Sequence, residues 1–329
     1  MKPATHWIHV RLVALRLIAL LPALLLPGLA AAGQWGADYF PNVTLTTHDG
    51  KPVKFYDDLL KGKSVAVNVI YTSCTDECPL ETARMAEVQR LLGARMGRDI
   101  VFYSISIDPE HDTPAVLAAY AEKFNVGPGW QFLTGKKEDI RLITRKLGLS
   151  RTSDSANKDG HASSLMLGNE PSGQWMRNSA VDNPRFLVAT MNNFFGWKDA
   201  LAKADYAQAK PLDVSRGQFT FQSRCAACHT IGGGDRIGPD LLGVTQRRNA
   251  DWLRRYMLEP DKVLAEGDPI ATRLFAKYKQ VRMPNLRLGD EDVAVLAAYI
   301  GEQEKVARAP AAPVQATSNE NHAHHHHQH

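Results

Sequence analysis

Four cysteines occur in 329 residues, and they fall into two pairs. In "CAACH", Cys225 and Cys228 are followed directly by His229. Thiols at i and i+3 lie on one side of a helical turn, where they can bond the two vinyl groups of one porphyrin. His229, one residue on, can then aim a ring nitrogen at the iron. The motif reads as the attachment site of one haem c; the competing reading is a redox pair beside an unrelated histidine. The second pair, in "YTSCTDECPLET", sets Cys74 and Cys78 with three residues between them and Pro79 behind them. Three chemistries fit this pair. A structural disulfide suits an exported protein, but it would close a loop of only a few residues and restrain the unfolded chain little. A thioredoxin-type dithiol usually has two intervening residues, not three. Two thiolates plus an imidazole would select Cu(I), or Zn(II), over hard ions.

The elements that must position these residues can be read from pattern. "SVAVNVIY" and "DIVFYSISID" are continuous apolar runs that suit strands buried on both faces. "VTLTTHDGKPVKF" reads as a hairpin turning at Asp49-Gly50. The opening cysteine pair thus follows a buried strand and precedes a helix over Leu80 to Leu92, whose N-terminus favours thiolate over thiol. Thr113 caps a further helix with Pro114 at its first position. "WQFLT", a helix near Glu138 to Leu147, "HASSLMLG", "QWMRN" and a helix over Pro184 to Ala202 complete an α/β pattern with a mixed sheet. "ADYAQAKPL" loses that pattern and is the expected linker, 204–212. From Asp213 the signals are helical, and "DEDVAVLAAYI" sets Val293, Leu296, Ala297 and Ile300 on one face.

Length and composition agree with two domains: 44% hydrophobic residues allow real cores. The formal charge of +4, from scattered Lys and Arg, leaves no nucleic-acid footprint. Residues 1–32 read as an export signal, with Lys2, Arg11 and Arg16 ahead of an apolar core from Leu17 to Leu29 and small residues at Ala30 to Ala32. The chain is therefore expected in the periplasm, soluble or tethered to the inner membrane by an uncleaved leader. The tail, 306–329, is low in complexity and holds six of the twelve histidines, a low-specificity collector of Cu(II), Zn(II) or Ni(II) at most.

Residues 213–305 resemble class I cytochromes c. The resemblance rests on "DVSRGQFTFQSR" leading into the cysteines, on "RIGPDLLGV" with Gly238-Pro239, and on "MPNLRLGDEDVAVLAAYI". It implies an all-α domain in which Met283, followed by Pro284, supplies the sixth iron ligand. Thioether ligation raises the potential and leaves no open site, which favours electron transfer over catalysis at iron. Met257 is expected to be core filler.

Residues 38–203 resemble the Sco/SenC family, on "CTDECP" together with "SIDPEHDTPAVLAAYAEKF". That resemblance implies a thioredoxin-like α/β domain whose Cys74, Cys78 and His161 coordinate a copper ion. Asp108 matches a family position near the site. His48 and His111 are expected to be ordinary surface residues. The chain departs from the family around the histidine, with Asp159-Gly160 before His161 and "NEPSGQW" in place of the usual turn. The implied function is a copper metallochaperone that helps build the copper centre of cytochrome c oxidase and carries an electron-transfer haem. Its expected partners are the oxidase copper-centre subunit and redox proteins. The alternative is an enzyme, a haem-coupled thiol-disulfide oxidoreductase in which Cys74 and Cys78 are the redox-active, catalytic residues.

Overall fold

The computed structural model describes residues 35–74, 77–150, 163–197 and 214–308. The leader (1–32), His161, the linker (204–212) and the tail from residue 309 lie outside them. Two compact units are present: one of residues 1–72, 92–119 and 127–180, the other of 73–91, 120–126 and 181–329.

The first unit is built on a seven-stranded mixed sheet of order β2-β1-β5-β4-β3-β6-β7. Its strands are β1 (Thr44–Thr47), β2 (Pro52–Lys54), β3 (Ser64–Ile70), β4 (Val101–Ser106), β5 (Trp130–Gly135), β6 (Ser164–Asn169) and β7 (Gln174–Ser179). The central strands β3, β4 and β5 run parallel, with Val67 opposite Tyr103 and Ser104 opposite Phe132. The hairpin β1–β2 and the pair β6–β7 flank them antiparallel. Alternation along β3 explains the burial on both faces. Val65, Val67 and Val69 join Tyr103, Ile105, Leu133 and Leu45 in one core, while Ala66, Asn68 and Ile70 point the other way and are buried as well. Helix α3 (Lys137–Lys146), which is strongly amphipathic, adds Ile140 and Ile143 to the same core.

The second unit begins with α1 (Glu77–Leu92) and takes in the end of α2 (Pro114–Lys123) and α4 (Pro184–Phe194). Helix α1 starts three residues earlier than "PLET" suggests, so Cys78 lies inside its first turn. Pro79 is tolerated there because the first four N–H groups of a helix have no intrahelical partner. Helix α4 ends at Phe194, well short of Ala202.

The rest of this unit is helical: α5 (Arg216–Thr220), α6 (Val244–Arg247), α7 (Ala250–Leu258), α8 (Pro260–Ala265), α9 (Pro269–Lys277) and α10 (Asp290–Arg308). Ser215, Asn249 and Asp268 cap α5, α7 and α9 by accepting from backbone N–H groups of the first turn. Val293, Leu296 and Ile300 are the buried stripe of α10, and Ala297 is only partly covered. Helix α10 runs to Arg308, so the first three residues assigned to the tail are helical. Nothing in "KVAR" breaks a helix, and the next breaker is Pro310. Helices α5 and α10 meet at Gly217, where a Cβ would lie 2.3 Å from the Val295 carbonyl oxygen. The approach requires glycine.

Candidate functional site

The thiol pair sits where β3 gives way to α1. Both cysteines are buried. The Cys78 backbone N–H donates to the Cys74 sulfur at 3.4 Å. An N–H of the first helical turn aimed at sulfur steadies negative charge there, so the local fold favours a ligating or nucleophilic form. Tyr120 lies in the same neighbourhood, its hydroxyl 3.0 Å from the Thr82 hydroxyl. Burial pushes its phenol well above the usual range, and Cys78, Cys74 and Glu81 add to that rise. Tyr120 therefore stays a neutral O–H beside the sulfurs. Among the described residues no group of three or more His, Cys, Asp and Glu side chains is placed to hold a metal ion. The third expected ligand, His161, lies outside those residues.

The chain just ahead of Cys74 is fixed by Asp112, which is fully buried. Its carboxylate accepts from the Thr72 hydroxyl at 2.5 Å, the Thr72 N–H at 3.1 Å and the Ser106 hydroxyl at 2.5 Å. Ser106 Oγ in turn accepts from the Asp108 N–H at 3.0 Å, and the Asp108 carbonyl accepts from the N–H groups of His111 and Asp112. Asp108 thus shapes the Asp-Pro turn through its backbone. Asp112, the second aspartate of the "DPEHDTP" segment, is a residue that sequence reasoning missed. The spacing of the two aspartates was the available signal. His48 is not an idle surface residue: its Nδ1 accepts from the Phe132 N–H at 3.1 Å and so ties the β1–β2 turn to β5.

The second centre is a cleft walled mostly by apolar side chains, the kind of surface that suits a flat apolar ligand. Cys225, Cys228 and His229 line it, and so do Met257 and Met283. The cysteines share one helical turn, with the N–H groups of Cys228 and His229 both bonded to the Cys225 carbonyl at 3.1 and 3.0 Å. Burial, with Cys228 adding, pushes the Cys225 thiol up to about 12, and burial does the same to Cys228.

His229 Nδ1 lies 2.8 Å from the Pro239 carbonyl oxygen, which can only accept, so Nδ1 carries the proton and Nε2 is left as a bare lone pair. Burial lowers the His229 pKa against the opposing pull of that carbonyl, and the ring is neutral, as a metal ligand must be. Gly238 makes room for it, since a Cβ there would lie 2.6 Å from His229 Cε1. The loop is held by Asp240, which accepts from the N–H groups of Gly232 (2.8 Å), Gly234 (2.5 Å) and Leu242 (2.8 Å). The residues present fit a covalently attached haem. Met283 is at the cleft wall as expected, and Met257, expected to be filler, is there too.

Residues 33–194 match the family model described as SCO1/SenC, and residues 214–304 match the one described as Cytochrome c. The chain is 37% identical over 93 residues to the SCO1 protein homolog of Bacillus subtilis (strain 168), a stretch that is 28% of this chain and 47% of that protein. It spans less than half the length of the first curated relatives it matches. Among solved structures it is similar to an SCO1/SenC family lipoprotein from Bacillus anthracis str. Ames, at 29% identity and a TM-score of 0.41, over 47% of this chain and 93% of that one. It is also similar to Bradyrhizobium japonicum ScoI, a structure with copper bound, at 27% identity and a TM-score of 0.39, over 46% of this chain and 96% of that one.

Proposed function

We propose that this chain, an SCO1/SenC domain followed by a cytochrome c domain, is a copper metallochaperone for the copper centre of cytochrome c oxidase, with an electron-transfer haem attached. The observation that carries the reading is a pair of buried cysteines, Cys74 just ahead of α1 and Cys78 in its first turn, joined by the Cys78 N–H on the Cys74 sulfur. Copper is the cargo. Cys74 and Cys78 supply two soft sulfur ligands and His161 the third, a set that prefers Cu(I).

In the second domain Cys225 and Cys228 would hold the haem covalently, and His229 Nε2 and the Met283 sulfur would be its iron donors. When bound, that group supplies one-electron chemistry at a raised potential with no open coordination position. The protein keeps the His229 tautomer fixed through Pro239 and lines the cleft with apolar side chains that keep out water. We place the domains at 38–203 and 213–305, joined by 204–212. The leader, 1–32, would direct the chain to the periplasm, where the oxidase copper-centre subunit and redox proteins are its partners.

Anaerobic Cu(I) competition titration tests the reading. Cys74→Ser/Cys78→Ser should lose tight binding, and His161→Ala should weaken it. Undiminished tight binding by the double cysteine variant would overturn the proposal. Turnover of an oxidised protein substrate by the metal-free chain would instead favour the thiol-disulfide oxidoreductase.

A further inference from the structure

The helix that carries Cys78 also grips the haem-attachment turn. Arg84, on α1 and 5% exposed, donates from Nη2 to the Ser223 carbonyl at 2.7 Å. Its charge is felt by both Cys225 and Cys228. One turn further on, Glu87 accepts from Arg236 Nη1 at 3.1 Å. The same Nη1 lies 3.2 Å from the carbonyl of Ala226, between the two cysteines of "CAACH". Glu87 is itself held by Arg90 at 2.7 and 2.8 Å. A third tie involves the approach to Met283: Lys279 Nζ donates to the Glu122 carbonyl at 2.9 Å and to Asn125 Oδ1 at 3.2 Å, at the C-terminal end of α2. Nothing in the proposed copper or haem ligation requires Arg84, Glu87 or Arg236.

The thioethers mark the vinyl edge of a c-type haem, so these contacts set α1 against that edge. Along the helix axis Arg84 stands about 9 Å from Cys78, and the helix is about 10 Å across. We propose that α1 is the electron bridge between the two centres, with Arg84 and Glu87 docking the Cys225–Cys228 turn so that electrons pass within one chain between the haem edge and the thiol-bound metal. The inference rests on the copper reading above and deepens it. The step is a one-electron exchange: Cu(II) between the sulfurs gains the electron that the ferrous haem loses, giving Cu(I) and ferric haem, and no bond or proton changes hands. A buried guanidinium beside the thioethers also stabilises the ferrous state, whose porphyrin centre carries one more electron.

The test uses the full chain with ferric haem and one equivalent of bound Cu(II), given one electron by flash-generated flavin semiquinone. Reoxidation of the ferrous haem band should be first order, with a rate constant unchanged on tenfold dilution of the protein. In Arg84→Gln that constant should fall at least tenfold, the haem potential should drop, and amide exchange across 221–229 should rise, while Cu(I) affinity is kept. An unchanged rate and potential in that variant, or a wild-type rate proportional to protein concentration, would overturn the bridge. Equally fast reoxidation in Cys74→Ser/Cys78→Ser would instead sink the copper site itself, which keeps the two failures apart.

Discussion

His229 has one ring nitrogen committed to Pro239 and one aimed into the cleft, and it owes that posture to the missing side chain at Gly238. Gly238→Ala should push the ring off its position, seen as loss of the low-spin visible spectrum or as poor haem incorporation. At the other centre a single carboxylate does comparable positioning. Asp112→Ala removes three accepted hydrogen bonds, two from half-buried Thr72 and one from buried Ser106, at a cost of roughly 2–4 kcal/mol in stability. Urea denaturation measures it, and copper affinity should weaken as the chain before Cys74 loosens. Cys74, Cys78, Cys225, Cys228 and His229 were legible because their chemistry depends on spacing within a few residues. Arg84, Glu87 and Arg236 were not, because an Arg or Glu looks the same in sequence whether it faces water or a partner more than a hundred positions away.

Among the elements, α1 and the α5–α10 crossing carry the most. Gly217 lets α5 lie against α10, and Phe221 then packs its ring 5.8 Å from that of Tyr299. Gly217→Val should cost about 1–3 kcal/mol through overpacking, read as a lower midpoint for loss of the haem spectrum in denaturant. Strand and helix positions were readable from pattern, since β3 and β4 are mostly apolar and α10 repeats its stripe at helical spacing. Ends were less so. The start of α1 at Glu77 and the run of α10 to Arg308 depend on where backbone hydrogen bonds stop, which residue types mark only loosely. The loop before α6 makes its own prediction. The N–H of Asp240, with Tyr278 and Lys277, holds the Asp235 carboxyl down to about 2. Burial of Asp240 is outweighed by the N–H groups of Leu242, Gly232 and Gly234, and it too is lowered. A depressed folded pKa contributes stability above the ordinary carboxylate value, about 3.9, and loses it as pH falls through the folded value. The haem loop should therefore loosen between about pH 4 and pH 2, tracked by the visible spectrum, and Asp235→Asn should flatten that transition.

At the scale of the whole molecule, one chain joins a thiol pair suited to a soft ion with a cleft suited to a one-electron cofactor. Neither motif alone says why they are joined; the contacts of α1 with the Cys225–Cys228 turn supply a physical reason. Six of the twelve histidines lie in the tail, a second supply of imidazole donors, so copper content alone does not place the ion. Copper-edge X-ray absorption of the exported chain, loaded with one equivalent of Cu(I), places it directly. Two sulfur donors and one imidazole nitrogen are predicted, with the sulfur shell lost in Cys74→Ser/Cys78→Ser. A spectrum of nitrogen and oxygen donors alone, unchanged by that substitution, would contradict the account.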